Sequence, residues 1–308
     1  MGTAHHIGLE IAERSFRFVE IQQQDRQTTI LRADTLETAH DYASPLLFDL
    51  PFDRDLARSF ITDLASVYHQ HTVYAGSISL VLPSMLPLVC TVPVDRKLSA
   101  EERREQVEWE CRTLGGLAEN VPLSILSHTI TSNDEIAITL AVALPQSTVD
   151  FLTQTCEHLT LDLHAIDIDQ FTMEKMIQLL YPHEAKNDFA VLGLHEKHCS
   201  AGRYSSAQYH GCRLGTVSYK QHYPAQAVRL LESLPIRQST NGPGHVYVFG
   251  NAAETHLTDA IEDILKCSVT RCVPLADTHV PDAIRDGFQL KGERLFDAAA
   301  AAGLLGLS

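Results

Sequence analysis

The 308-residue chain is predicted to be an α/β protein of two lobes carrying a small α+β insertion, on three observations. Each half opens on three short β-rich runs. Each then passes into alternating helix and strand. The first half is interrupted by a strand, helix, strand, strand block. The length fits this division, since it exceeds what one small core serves and suits two domains of ordinary size.

The first three strands are expected at Ile7 to Ile11, Phe16 to Ile21 and Gln27 to Ala33, with the first pair turning through Ala12-Glu13-Arg14-Ser15. From Asp53 to His71, Leu56, Phe60, Ile61, Leu64 and Val67 recur at helical spacing behind an acidic start. A strand returns over 76–83 and another over 86–94. Ser99-Ala100-Glu101-Glu102 forms a capping box, in which serine accepts from the helix backbone and Glu102 reaches back; the helix then runs to about Leu114 and stops at Gly115-Gly116. Strands at Ile125–Thr131 and Glu135–Leu144 flank the turn Ser132-Asn133-Asp134. A helix over Gln146–Leu159, a strand over His164–Ile168 and a helix over Gln170–Tyr181 close this half at Pro182.

The second half repeats the order, with strands at Phe189–Leu194, Cys199–Tyr204 and Gln208–Leu214. A helix over Pro224–Leu234, the loop Asn241-Gly242-Pro243-Gly244, a strand over His245–Phe249, a helix over Ala253–Leu265, a strand over Ser268–Val273 and a helix over Arg294–Leu307 complete it. The expected domains are 1–84 with 164–186, an insertion over 85–163, and 187–308.

Composition narrows the function. Lys and Arg number 24 against 39 Asp and Glu, a formal charge of −15 that repels phosphate backbones and anionic lipid, so no nucleic-acid or direct membrane binding is expected. The most apolar stretch, Ala298 to Leu307, falls well short of the roughly 20 residues of a spanning helix. Met1 to His6 has no basic region followed by an apolar run, so secretion is not expected. Seven scattered cysteines, none in a CxxC pair, fit reduced thiols in the cytoplasm.

Four stretches carry a resemblance to the actin-like ATPase superfamily, and within it to the PilM proteins of type IV pilus assembly; FtsA and the cytoplasmic domain of the type II secretion L protein are more distant cousins. Residues 7–21 (Ile-Gly-Leu-Glu-Ile-Ala-Glu-Arg-Ser-Phe-Arg-Phe-Val-Glu-Ile) are similar to the family's first phosphate loop and the Val-Glu strand after it. Ser79 to Gly116, with its Val-Glu-Trp-Glu helix, resembles the inserted subdomain, and His164 to Lys175 the return to the first domain. Val248-Phe249-Gly250-Asn251-Ala252 stands at the adenosine-loop position, ahead of a closing helix that ends Ala-Gly-Leu-Leu-Gly-Leu. The resemblance spans nearly the whole chain. It implies an actin-like (ribonuclease H-like) fold in which two hairpin turns grip the phosphates of a nucleotide.

Set on that frame, the nucleotide cleft is expected to be degenerate. Glu10 takes the first aspartate position and Ala12 the glycine position, while Glu13 and Arg14 replace small hydroxyl donors ahead of Ser15. A carboxylate at Glu13 would repel phosphate. The second turn reads Gly193-Leu194-His195-Glu196-Lys197 in place of Asp-Ile-Gly, which removes the metal-organising carboxylate. At the adenosine loop only Gly250 remains glycine, and Asn251 and Ala252 bring side chains toward the base. Hydrolysis is not expected, no cofactor is expected, and weak ATP binding is the most these loops would support.

Sixteen histidines raise a metal reading, densest at His195-Glu196-Lys197-His198-Cys199. Two histidines three apart in a turn do not make the HExxH helix motif, so a solvated turn and no metal is expected; His5-His6 and His69-x-His71 read as surface. No GxGxxG or GxxxxGK[ST] occurs, and Asn241-Gly242-Pro243-Gly244 reads as a plain turn. Trp109, the one tryptophan, reads as an interface anchor or as a core residue of the insertion, and core packing is expected. The function implied by the resemblance is a non-catalytic cytoplasmic scaffold, peripheral to the inner membrane. It would bind the N-terminal tail of a bitopic, PilN-like partner in a groove between first domain and insertion, within about residues 72–165. The alternative is an actin-like ATPase or sugar-kinase relative whose divergent site is bordered by Glu10, Gly193 and Gly250. Whether the chain forms a homo-oligomer is left open by the residues.

Overall fold

The computed structural model describes residues 3–307 apart from 26, 70–73, 183–186, 206–207, 218–221, 235–242, 277 and 282–292. The expectations for Asn241-Gly242 and His71 lie outside the described residues.

Two five-stranded sheets share one topology. In the first, β1 (Ala4–Ala12), β2 (Ser15–Gln24) and β3 (Gln27–Glu37) form an antiparallel meander, and β4 (Ser77–Leu82) and β8 (Asp162–Ile168) add in parallel, giving the order β3-β2-β1-β4-β8. In the second, β9 (Phe189–Leu194), β10 (His198–Ser205) and β11 (Gln208–Thr216) repeat the meander, with β12 (His245–Phe249) and β13 (Ser268–Arg271) in parallel beyond β9. Parallel neighbours require crossovers, which α1 (Arg54–His69) provides in the first lobe and α6 (Thr255–Leu265) in the second, while α5 (Tyr223–Glu232) precedes β12.

The insertion is a three-stranded antiparallel sheet, β5 (Leu88–Asp95), β7 (Ile136–Pro145) and β6 (Leu123–Ser132), in the order β5-β7-β6, with α2 (Ala100–Gly115) on one face. Ser99 and Glu102 form the reciprocal capping box, and Gly116, at φ 62°, closes the helix in the left-handed conformation. Val107 and Cys111, one turn apart, are the buried stripe of α2. Trp109 projects away from it and is 62% exposed, which corrects its expected place in the core.

Packing also redraws the expected domains at three helices. Leu152 and Cys156 of α3 (Gln146–His158) join the core of the first sheet with Leu80 and Leu82, although 146–163 was assigned to the insertion. Met173, Met176 and Ile177 of α4 (Asp169–Leu180) pack on Val191, Tyr247 and Phe249 of the second sheet, although 164–186 was assigned to the first domain. The expected terminal helix resolves into a 3-10 turn at Glu293–Phe296 and α7 (Asp297–Leu305). Ala299 and Ala300 of α7 pack on Val19, Ile21 and Ile30 of the first sheet, although the helix follows the second lobe. The two lobes thus exchange helices.

The approach of α7 is set by glycine. A Cβ on Gly8 would lie 1.8 Å from the Ala299 carbonyl oxygen, so the strand must be bare where the alanine-rich helix crosses it. In the first-lobe core Phe16 of β2, Phe60 of α1 and Tyr42 are in mutual ring contact.

Candidate functional site

The tips of two hairpins meet between the lobes. Ala12 pairs with Ser15, so Glu13 and Arg14 form the β1–β2 tip. His195 N–H donates to the His198 carbonyl at 3.0 Å, so Glu196 and Lys197 form the β9–β10 tip. Lys197 Nζ stands 3.0 Å from Glu13 Oε2, joining one tip to the other. Beneath this contact lies a cleft of about 290 Å³ whose wall includes Glu10, Arg17, Asp169, His195, His198 and Asn251.

Asp169, the first residue of α4, is fixed by the first lobe. Its Oδ1 accepts from the Ser84 backbone N–H at 3.0 Å, from the Ser84 hydroxyl, and from the Gln170 N–H at 2.6 Å. Oδ2 faces the second lobe, 3.1 Å from His195 Nε2 and 3.9 Å from His198 Nε2. A two-residue hairpin puts its flanking positions side by side on one face, and the two imidazoles accordingly stack, with ring centroids 4.4 Å apart. The Tyr223 hydroxyl spans the carbonyls of His195 and His198 at 2.7 and 3.0 Å and holds the turn in place.

Burial opposes charge throughout this cleft. It pushes the Glu10 carboxyl above its ordinary range, while Arg17, whose guanidinium lies 3.3 Å away, pulls it back. Burial also acts to raise Asp169, but the adjacent imidazoles of His195 and then His198 outweigh it and hold the carboxyl far below the usual range. For His195 burial disfavours the cation, and Asp169 overcomes this to raise the imidazole.

Of the residues singled out from sequence, Glu10, Ala12, Glu13, His195 and Asn251 line the cleft; Ser15, Gly193 and Gly250 do not. A Cβ on Gly193 would lie 2.2 Å from Ser200 Oγ and 2.7 Å from Phe249 Cζ, so this glycine serves packing beneath the wall. Gly250 has φ 100° and closes a turn in which a Cβ would meet the Leu194 carbonyl oxygen at 2.5 Å; its N–H faces Asp297 Oδ2 at 3.3 Å. Three expectations are corrected. The histidine turn is solvated only at its tip, where Glu196 and Lys197 are exposed: His195 is buried and His198 half-buried, because both rings turn inward onto Asp169. A carboxylate is present opposite the second turn, supplied by α4 rather than by the turn. His6 is buried, with Nδ1 at 2.7 Å from Ser77 Oγ and Nε2 at 2.8 Å from Ser79 Oγ, where β1 runs beside β4.

A second concavity lies where the insertion meets the first lobe. β8 is the edge of the first sheet and β6 an edge of the inserted sheet. Between them runs a trough of about 330 Å³ lined by Leu126, Leu144 and every residue from Leu163 to Ile168. Six consecutive strand residues touch it, so it follows the edge of β8 rather than one face. A neighbouring cavity of about 360 Å³ shares Leu126, Val142, Asp167 and Phe171 and extends toward Tyr204 and Tyr209 of the second lobe. Leu126 is 74% exposed in this apolar trough.

No family model matches the chain, and no curated protein matches it in sequence. Solved structures do. The PilM–PilN type IV pilus biogenesis complex superposes with a TM-score of 0.74 at 15% identity, covering 98% of this chain and 98% of that one. The chain has the actin-like ATPase fold. A Bacteroides thetaiotaomicron protein with actin-like ATPase fold and unknown function superposes with a TM-score of 0.53 at 10% identity, over 89% of this chain and 94% of that one. The cytoplasmic domain of EpsL, an inner membrane component of the Vibrio cholerae type II secretion system, stands further off at a TM-score of 0.44 and 8% identity, over 82% and 84% of the two chains. No helix among the described residues of the chain is long and apolar enough to cross a membrane.

Proposed function

We propose that this chain is a non-catalytic cytoplasmic scaffold of a pilus or secretion assembly, held at the inner membrane by the N-terminal tail of a PilN-like bitopic protein. The observation that carries the proposal is the trough between the β8 edge and β6. An extended peptide laid there adds a strand to β8 through main-chain hydrogen bonds and places alternate side chains against Leu126, Leu144 and Phe171. The formal charge of −15 favours a basic tail.

The cleft between the hairpins supports the absence of nucleotide hydrolysis. Its volume of about 290 Å³ sits at the lower bound of ligand pockets, which run from roughly 300 to 1,000 Å³. The Glu13–Lys197 contact joins the tips over it, and the Asp169 carboxylate opposes a polyphosphate.

The test is titration of the full chain with a synthetic peptide of the N-terminal tail of a PilN-like protein from the same organism, read by fluorescence anisotropy. Saturable binding is expected, and Leu126→Asp, at an exposed position, should weaken it at least about tenfold without lowering Tm. No binding by a folded chain overturns the tail reading. Micromolar affinity for Mg-ATP with turnover, measured by calorimetry and phosphate release, overturns the non-catalytic one.

A further inference from the structure

The geometry points to a metal site: Asp169, His195 and His198 bind one late first-row divalent ion, zinc foremost, that ties the two lobes together inside the cleft. The ligand atoms of the three side chains all lie within 4.8 Å of one another. His195 Nε2 stands 3.1 Å from Asp169 Oδ2, close enough for attraction, without a well-formed hydrogen bond to it. Neither it nor His198 Nε2, both buried, has a hydrogen-bond partner among the described residues. Two orphaned imidazole nitrogens and one carboxylate oxygen this close together are costly when empty, and a turn of the two stacked rings toward Asp169 lets one cation satisfy all three.

The support around the ligands is that of a metal site. Oδ1 of Asp169 is engaged by Ser84 and Gln170, which leaves Oδ2 as the free ligand atom and fixes its direction. Tyr223 fixes both histidines through their carbonyls. Of the other charges on the cleft wall, Glu10 pairs with Arg17 at 3.3 Å and Glu13 with Lys197 at 3.0 Å, while Asp169, Asp41 and Glu196 leave the wall net negative, which favours a cation. Two imidazoles and a single carboxylate suit zinc, cobalt or nickel over magnesium, which prefers oxygen ligands and retains its water. Three protein ligands leave an open coordination position facing the cleft. Because Asp169 is anchored on Ser84, after β4, and the histidines on the β9–β10 hairpin, the ion ties the first lobe to that hairpin, beside the Glu13–Lys197 contact and the packing of α4 on the second sheet. This inference is independent of tail binding in the trough.

The experiment is calorimetric titration of the untagged, EDTA-stripped full chain with zinc sulfate, followed by cobalt substitution and visible absorption. Expected are one zinc per chain, a rise in Tm on binding, and a cobalt d–d spectrum of low coordination number. His198→Ala should lower zinc affinity by about tenfold or more. Asp169→Asn, which keeps the Oδ1 acceptor, should do the same, and His256→Ala, at an exposed histidine, should change nothing. The apo Tm of His198→Ala should match that of the stripped wild type, which separates ligand loss from misfolding. Absence of zinc and cobalt binding by the wild type overturns the site, as does equal binding by His198→Ala and Asp169→Asn. Peptide titration of the same His198→Ala protein should be unchanged, so failure here and failure of the scaffold reading are told apart.

Discussion

Glu174 is wholly buried on α4, where Gln170 Nε2 donates to Oε1 at 2.7 Å and the Tyr204 hydroxyl to Oε2 at 3.1 Å. Burial pushes its carboxyl up to about 8, and the two hydrogen bonds only partly offset this. A carboxyl raised on folding stabilises the fold fully below its unfolded value near 4.5, and that contribution is lost as pH rises through about 8. Burial likewise raises Asp297, to about 7, against the pull of Arg271, so both groups act in one direction. The protein should therefore lose stability between pH 5 and 9. Glu174→Gln, neutral throughout and able to accept from Gln170, should flatten that slope and be more stable at pH 9 by on the order of 2 kcal/mol. Urea unfolding at the two pH values checks it; a steeper slope in the variant would contradict the buried-acid assignment. The histidine pair and Trp109 mark where single residues were and were not legible. His195 and His198 carried a signal, since i and i+3 of a two-residue hairpin are cross-strand neighbours, but only the fold brings Asp169 to them. Trp109 was misjudged because the buried stripe of α2 is narrow, and a residue two positions from Val107 points away from it.

Among the elements, the strands and α2 were readable because alternation, turn residues and a capping box are local signals. Partners of helices are not local. The apolar stretch Ala298 to Leu307 was legible as part of a terminal helix, yet nothing nearby in sequence named β1 as the sheet it covers. The contact makes a prediction. Gly8→Ala should destabilise by about 1–3 kcal/mol or more, because the added carbon meets helix backbone, which yields less readily than a side chain. Gly76→Ala, with nothing within 4 Å of the new carbon, should stay within about 1 kcal/mol of wild type. Comparing denaturation midpoints of the two variants decides it, and equal midpoints would mean that α7 docks more loosely than the structure has it. Capping is a smaller lever: Ser99→Ala should cost about 1 kcal/mol, read in the same measurement, through loss of the Glu102 N–H acceptor.

For the molecule as a whole, the repeated order of elements made the two lobes legible, and the structure gives both sheets the same strand order. The cleft and the trough were less so, since each is made by elements distant in sequence: two hairpin tips and α4 in one case, β6 and β8 in the other. Charge acts at this largest scale. With a formal charge of −15, association with a basic tail peptide should slow as sodium chloride rises, while dissociation changes little. Stopped-flow anisotropy at two ionic strengths measures both rates; a salt effect confined to dissociation would place the attraction in short-range contacts instead.

The seating of α7 on β1, β2 and β4 also bears on biogenesis. Strands made first by the ribosome wait for a cover encoded far downstream, so a nascent chain shows an unfinished apolar face around Val19 and Ile21 until that cover emerges. Translation arrested ahead of residue 297 should leave the nascent N-terminal lobe dependent on chaperones and open to proteolysis.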